Sequence, residues 1–430
     1  VTQPGAVKAA LHPGKSSLSK IFHGWRIAGA ASTLQFMQSA LLTQSFGAYV
    51  ALLAEERGWS KTSLAGAAAM QSMEAAILGP VLGWVMDRFG PQAMIRWGIV
   101  VFALGFFALS QLETLTGFYV SAVTLAIGAS LCGYFPLTVA IIHWFERHRA
   151  RALSLLSLGL ALGGLAVPLV AWSMHSFGWR TTAIASGVVA LLVGFPLASL
   201  IRGRPEDMGL TIDGVPKPAP MTADAQDHGA PAAVEFTARQ ALRTQAFWLL
   251  GLGHGVALLV VTAVNVHAIT HMKEGLGYTV AEAAWFILLM TVGQVMGVLS
   301  GAWMGDKYDK RRVAATCMLM HGTGLLLLTY ATHSAELVAF ALLHGIAWGL
   351  RGPFMQALRA DYFGRNAIGM ILGLSAVIIA MGQIAGPMVA GFFADLTGNY
   401  RMGFTILALM ACAGSGLFLL AKPPRLPTAT

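Results

Sequence analysis

The chain has 430 residues, 56% of them hydrophobic and only 11% Asp, Glu, Lys or Arg, with a mean hydropathy of +0.66. Soluble domains carry about 25% charged residues, so a water-soluble fold is excluded and an integral membrane protein is implied. The net charge of +9, from 28 basic and 19 acidic residues, would suit a nucleic-acid surface unless its placement along the chain explains it.

Residues 1–24 are polar and basic, without the apolar core of a removable signal, and are expected to form a cytoplasmic tail. A bilayer core needs about 20 apolar residues per helix. Twelve runs meet that requirement: 25–53, 62–86, 92–112, 115–144, 152–174, 180–201, 246–272, 279–304, 313–332, 336–358, 367–394 and 402–421, numbered spans 1 to 12. They are too long and too uniformly apolar for barrel strands, and backbone groups in lipid must be satisfied within the segment, so all are helices. Residues 25–201 are expected to form an N-terminal six-helix bundle, 202–244 a cytoplasmic linker, 245–421 a C-terminal six-helix bundle and 422–430 a cytoplasmic tail. Pro205, Pro216, Pro218, Pro220 and Pro231 among small polar residues mark the linker. Its end, Phe236 to Thr244, places Arg239 and Arg243 one turn apart and is expected to form a short surface helix.

With an even number of spans, both termini share a side with alternate loops. That side holds 22 of the Lys and Arg residues; the opposite side holds Arg57, Lys61, Arg180, Lys273 and Arg401, and Arg351 lies within span 10. The positive-inside rule then places both termini in the cytoplasm, as in a bacterial-type inner membrane. The basic charge is topological, and no nucleic-acid partner is implied. Cys132, Cys317 and Cys412 lie in apolar runs with no metal or disulfide spacing and are expected to pack as small residues.

The halves repeat at an offset near 219 residues. Asp87-Arg88 matches Asp306-Lys307, Trp144-Phe145-x-Arg147 matches Tyr362-Phe363-x-Arg365, and Gly163 with Pro168 matches Gly382 with Pro387. Trp179-Arg180 matches Tyr400-Arg401. Such repeats build secondary transporters, with the substrate site at the midplane between them. Gly293, Gly297, Gly301 and Gly305 in span 8, and Gly79 with Gly83 in span 2, recur every four residues and allow close helix approach.

Gly83-Trp84-Val85-Met86-Asp87-Arg88-Phe89-Gly90 resembles the loop 2–3 signature of the major facilitator superfamily, with a degenerate copy from Ala302 to Arg312. The resemblance covers essentially the whole chain. It implies an all-α membrane protein of twelve transmembrane helices in two six-helix repeats, with spans 1, 4, 7 and 10 lining the cavity. Phe22-His23-Gly24-Trp25-Arg26, Arg57-Gly58-Trp59-Ser60, Trp144-Phe145 through Leu153, Arg204-Pro205-Glu206-Asp207-Met208-Gly209-Leu210 and Asp395 through Arg401 are similar to the monocarboxylate porter and oxalate/formate antiporter branch. Two departures accompany that likeness. The basic residue of span 1 aligns with Gln44, and the arginine of span 8 falls at Gly297 or Val298.

The signature implies a gate at Asp87, Arg88, Asp306 and Lys307: a carboxylate at the end of span 2 suits the positive end of a neighbouring helix. A fixed clamp at the membrane surface is the alternative. Glu74 lies 13 residues before Asp87, about 20 Å from the cytoplasmic edge. Arg351 lies about 12 Å deep, 8 residues before Arg359. Ionisable groups at such depth default to functional hypotheses. Neither is copied by the repeat, whose matching positions are Gly293 and Gly133. A guanidinium suits a carboxylate bidentately, and Glu74 is either the proton-coupling group or a structural partner of Arg351. His344 and His254 are further candidates for proton relay, with Gln44, Tyr134 and Asn265 completing a polar cavity together with Gln38, Gln294 and Gln356. No nucleophile–base set, metal motif or cofactor signature occurs.

The expected function is secondary active transport of a small organic anion such as a carboxylate, by alternating access and with protons as coupling ion, by a monomer in the lipid bilayer. Export of drugs or amphipathic compounds is the alternative within transport, favoured less because the span 4 arginine of proton-coupled drug antiporters is missing around Leu125 to Ala129. A non-transporting receptor on a transporter scaffold is the alternative from another class.

Overall fold

The computed structural model describes residues 22–59, 61–215, 235–304 and 307–425. Ten helices among the described residues are long and apolar enough to cross a membrane. Twelve crossings result because spans 2 and 3 run together and span 1 is divided. Lys61–Ser110 carries both spans 2 and 3, hinged at Gly90 with φ 76°. A glycine takes that left-handed conformation without penalty, and Pro91 behind it suits the first turn of span 3.

Span 1 comprises His23–Gln38, a π-helical turn at Ser39–Thr43 and Phe46–Arg57. Span 4 is broken at Gly133 into Leu115–Cys132 and Tyr134–Trp144. A Cβ at Gly133 would lie 2.3 Å from Gln38 Oε1, so only glycine lets the buried Gln38 side chain fill the break. Pro136 sits in the first turn of the second piece, where a missing N–H costs nothing. Span 5 comprises Arg149–Leu162, a 3-10 turn at Gly163–Ala166 and Val167–Phe177, and span 6 is Trp179–Leu200. Spans 7 to 12 are the unbroken helices Gln245–Leu276, Val280–Met304, Lys310–Tyr330, Ser334–Phe363, Ile368–Thr397 and Arg401–Leu420.

Lipid supplies no hydrophobic drive between helices, so association rests on close packing. In span 8 against span 10, added Cβ atoms at Gly297, Gly345 and Gly349 would lie 2.2, 2.1 and 2.0 Å from the backbone oxygens of Ile346, Met290 and Gln294. The repeat is visible in the same terms. Gly163 of span 5 abuts Ser39 of span 1, and its counterpart Gly382 of span 11 abuts Gly255 of span 7. Large apolar side chains such as Trp97, Leu192, Trp285 and Met381 face outward, as a lipid-facing surface requires.

Each half has its own apolar core, and the first extends to Ala357, Ala360, Ile368 and Leu372 of spans 10 and 11. The halves meet at the end that carries loop 2–3 and the linker. There Gly79 and Gly83 of span 2 lie against Gly373 and Gly369 of span 11, and Gly301 of span 8 against Ser154 of span 5. Asp361 at the end of span 10 is bonded by Arg149 of span 5 at 2.5 Å and by Lys310 of span 9 at 2.9 Å. Arg365 pairs with Glu206 of the linker and donates to His143 O at 3.2 Å.

The linker contributes a short helix, Ala238–Leu242, capped by Thr237, and Phe236 is buried beneath it, its N–H donating to Phe363 O at 3.0 Å. Pro216, Pro218, Pro220 and Pro231 lie outside the described residues. Span 10 corrects the charge tally. Its helix runs to Phe363, so Arg359, assigned above to a loop, is a buried residue of the span with 1% exposure.

Candidate functional site

A cavity of ≈ 350 Å³ lies between the two halves. Tyr134 and Ser157 line it from spans 4 and 5, and His254, Asn265, Gln294, Arg351, Gln356 and Gln383 from spans 7, 8, 10 and 11. The break at Gly133 makes Tyr134 the first residue of a new helix, and its hydroxyl lies 3.2 Å from Ser157 Oγ.

Arg351 is held on span 10 by the sequence Gly349-Leu350-Arg351-Gly352-Pro353. Gly349 allows the contact with span 8, and Pro353 has no N–H to give the carbonyl four residues back. Arg351 is 1% exposed, and its Nε and Nη1 have no hydrogen-bond partner. Among the described residues no carboxylate lines the cavity. An unpaired guanidinium in such a place carries a desolvation cost that an anion entering the cavity would offset.

Glu74 does not supply that anion. Its Oε2 accepts from Ser130 Oγ at 3.2 Å, its Oε1 has no partner, and no ion pair among the described residues joins it to Arg351. Ser130 and Tyr134 line a second cavity, of ≈ 270 Å³, with Gln38, Phe135 and Ala376. Tyr134 therefore belongs to both cavities.

His254 lines the larger cavity, and its Nδ1 lies 3.2 Å from Arg359 Nη1. Asn265 also faces it. Two candidates point elsewhere. His344 is fully buried against span 9, its Nδ1 3.2 Å from Nδ1 of His321, and it is not among the cavity residues. The 3.6-residue period places it near the Arg351 side of the helix, but the adjoining helix there is span 9. Gln44 is exposed just beyond the π-helical turn of span 1, near Gly164, and is not among the cavity residues.

Of the gating set, Asp87 accepts from the N–H groups of Gly369 at 3.1 Å and Met370 at 2.9 Å, the first turn of span 11. Arg88 and Lys307 are exposed, stacked over Phe89 at 6.0 Å and Trp303 at 5.6 Å respectively, and neither makes an ion pair with the other half among the described residues. Asp306 lies outside the described residues. The ion pairs that do cross, at Asp361 and Arg365, were not singled out above.

Sequence reasoning also missed Arg359, Ser157, Trp348 and Gln383. The signal for Arg359 was present: Gly364, with φ 79°, ends the helix only after Phe363. The two positions to which the branch departure at span 8 could fall differ in surroundings. Gly297 is pressed against Ile346, leaving no room for a side chain, while its neighbour Val298 lines the cavity.

The positions that the repeat leaves uncharged are glycines in close contact as well: Gly133 against Gln38 and Gly293 against Ala341. Among the described residues no group of three or more His, Cys, Asp or Glu side chains could hold a metal ion.

This arrangement, two six-helix halves enclosing a polar cavity, has known counterparts. The E. coli fucose:proton symporter superposes with a TM-score of 0.69 at 16% identity, over 93% of this chain and 99% of that one. The human organic anion transporter MFSD10 (TETRAN) does so with 0.65 at 17% identity, over 92% and 97%. In sequence, monocarboxylate transporter 13 of Bos taurus is 24% identical over 92% of this chain and 88% of its own length. Glycerol-3-phosphate transporter of Bacillus subtilis (strain 168) is 24% identical over 88% of each. The family model of the Major Facilitator Superfamily matches residues 32–267 and 250–430, spanning both halves, and the chain belongs to that superfamily of membrane transporters.

Proposed function

We propose that this transporter moves a small organic monoanion, a carboxylate, together with protons, the anion bound by Arg351 between the two halves. The observation that carries the reading is the buried guanidinium of Arg351, with two unpartnered nitrogens in a cavity without a carboxylate among its described lining residues. The monocarboxylate transporters among the relatives agree with it. The glycerol-3-phosphate relative suggests a phosphate instead. A dianion calls for more than one free cation, and Arg359, the other buried arginine of span 10, is covered by His254. Among the described lining residues of the cavity Arg351 is the one cation, which suits a single negative charge.

The excess of Lys and Arg at the loop 2–3 end supports a cytoplasmic placement of that end, even with Arg359 removed from the tally. The halves are joined there by Asp87, Asp361 and Arg365, so the conformation is one closed to the cytoplasm. Glu74 is the coupling carboxyl in this reading: one oxygen is unpartnered, and its Ser130 partner shares a cavity with Tyr134 of the anion site. Proteoliposome uptake of radiolabelled small carboxylates under an inward proton gradient tests this. Arg351→Gln should abolish binding and uptake. Glu74→Gln should retain carboxylate exchange but lose gradient-driven accumulation. Gradient-driven accumulation by Glu74→Gln would remove Glu74 from coupling.

A further inference from the structure

Among the described residues Arg359 reaches the anion site through His254, and that contact determines what His254 can do. Nη1 of Arg359 lies 3.2 Å from Nδ1 of His254, and Nη2 donates to Leu250 O at 3.3 Å. Both side chains are buried, at 1% and 6% exposure. A guanidinium has five N–H donors and no acceptor, so Nδ1 must offer a lone pair. A histidine whose Nδ1 accepts holds its single ring proton on Nε2. That nitrogen makes no protein hydrogen bond among the described residues, and the ring lines the cavity that holds Arg351. The charged groups beside His254 are Arg351 and Arg359, both from span 10.

We infer that Arg359 is a positioning residue that fixes His254 in the Nε2–H form, so that His254 serves as a permanent neutral hydrogen-bond donor to a second oxygen of the bound anion. The inference rests on the anion reading of Arg351 and extends it to a substrate class. The carboxylate pairs with Arg351, and an oxo or hydroxyl group elsewhere on the same small molecule accepts from His254. Unsubstituted fatty acids of equal length leave that donor unpaired. A site built to hydrogen-bond a substrate oxygen discriminates against analogues that lack it. It also follows that His254 is no proton carrier, in contrast to the relay role its position in the sequence suggests.

Matched acids test the inference: propionate against lactate and pyruvate, and butyrate against 3-hydroxybutyrate, with affinity measured on purified full-length protein from pH 5.5 to 8. In the parent protein the oxygenated acid of at least one pair should bind about tenfold more tightly, one neutral hydrogen bond's worth, at every pH. His254→Ala should erase that preference, weakening the oxygenated acids about tenfold more than the fatty acids, and His254→Gln, which keeps a donor, should restore part of it. Arg359→Met should weaken the preference, because a ring no longer bonded at Nδ1 can carry its proton on either nitrogen and is no longer held as a donor to the cavity. Arg359→Lys, again donor-only at its nitrogen, should return the preference toward the parent value.

Arg351→Gln separates the two levels. If it abolishes binding of all the acids while His254→Ala lowers every acid equally, the His254 inference fails and the anion site stands. If none of the acids binds the parent, or Arg351→Gln binds them normally, the anion reading itself fails. A preference in the parent that titrates between pH 6 and 7 overturns the lock. Should Arg359→Met not fold, the Lys variant and the parent pH profile decide the matter alone.

Discussion

Replacing Asp87 with Asn should shift the protein away from the conformation closed at the loop 2–3 end. The carboxylate accepts two backbone N–H bonds, at 3.1 and 2.9 Å, from Gly369 and Met370 in the first turn of span 11, where the helix dipole also favours negative charge. Asparagine keeps one oxygen for one of these amides and loses the charge. A hydrogen bond to a charged group contributes about 1.5–3 kcal/mol and a charge at a helix N-terminus about 0.3–1 kcal/mol. Asp87 remains solvent-exposed, so the low end applies, and the loss is about 1.5 kcal/mol, roughly tenfold in the closed-to-open ratio.

Spin labels at Arg151→Cys and Lys422→Cys, one exposed site in each half, report that ratio as a distance distribution in a background lacking Cys132, Cys317 and Cys412. The long-distance population should rise about tenfold in Asp87→Asn. A distribution unchanged within twofold would refute the reasoning and make Asp87 a fixed clamp on a loop.

Three other outcomes follow from the packing and the charges. Gly349→Ala would put a Cβ 2.0 Å from Gln294 O, a backbone atom that cannot swing away, so spans 8 and 10 must separate. A loss of about 1–3 kcal/mol is expected, read as a lower melting temperature in detergent, whereas Gly352→Ala, with open space around it, should melt like the parent. Arg351→Ala combined with Val298→Arg should recover part of the carboxylate binding lost in Arg351→Ala, because Val298 faces the same cavity from span 8; no recovery would mean that the position of the charge matters as much as its presence. Burial works to raise the Glu206 carboxyl, but its bond to Arg365, with the charge of Arg204, holds it below the ordinary value of 4.5. A depressed carboxyl contributes fully above its unpaired value and is lost as pH falls through its bound value. The linker's link to Arg365 should therefore hold from pH 8 to 5 and open only in stronger acid, as followed by the same spin labels; opening between pH 6 and 7 would assign the transition to another group.

Most of the fold is legible in the sequence because lipid leaves few choices. Twelve apolar runs, their charge asymmetry and the repeat near 219 residues are enough to lay out two halves. Arg351 was legible for the same reason, since a charge in the middle of an apolar run stands out. Which residues share the cavity was not, because that depends on how helices are rotated and staggered against one another. His344 meets the spacing rule from Arg351 yet packs on His321, and Gln44, just past the π-helical turn at Ser39–Thr43, is not among the cavity residues. Arg359 was read as a loop charge because the apolar run ends at Leu358, whereas the helix continues to Phe363 and is ended by Gly364. The contacts that join the halves, Arg149 with Asp361 above all, link residues 212 positions apart and leave no local pattern.

The central claim is that Arg351 is the anion-binding group, and equilibrium binding of a small carboxylate to the purified full-length protein measures it most directly, with calorimetry on the parent, Arg351→Lys and Arg351→Gln. The account predicts saturable binding by the parent, weakened binding by the lysine variant, which keeps the charge without the bidentate fork, and none by the glutamine variant, with all three equally folded by circular dichroism. Carboxylate binding of parental affinity in folded Arg351→Gln would contradict it.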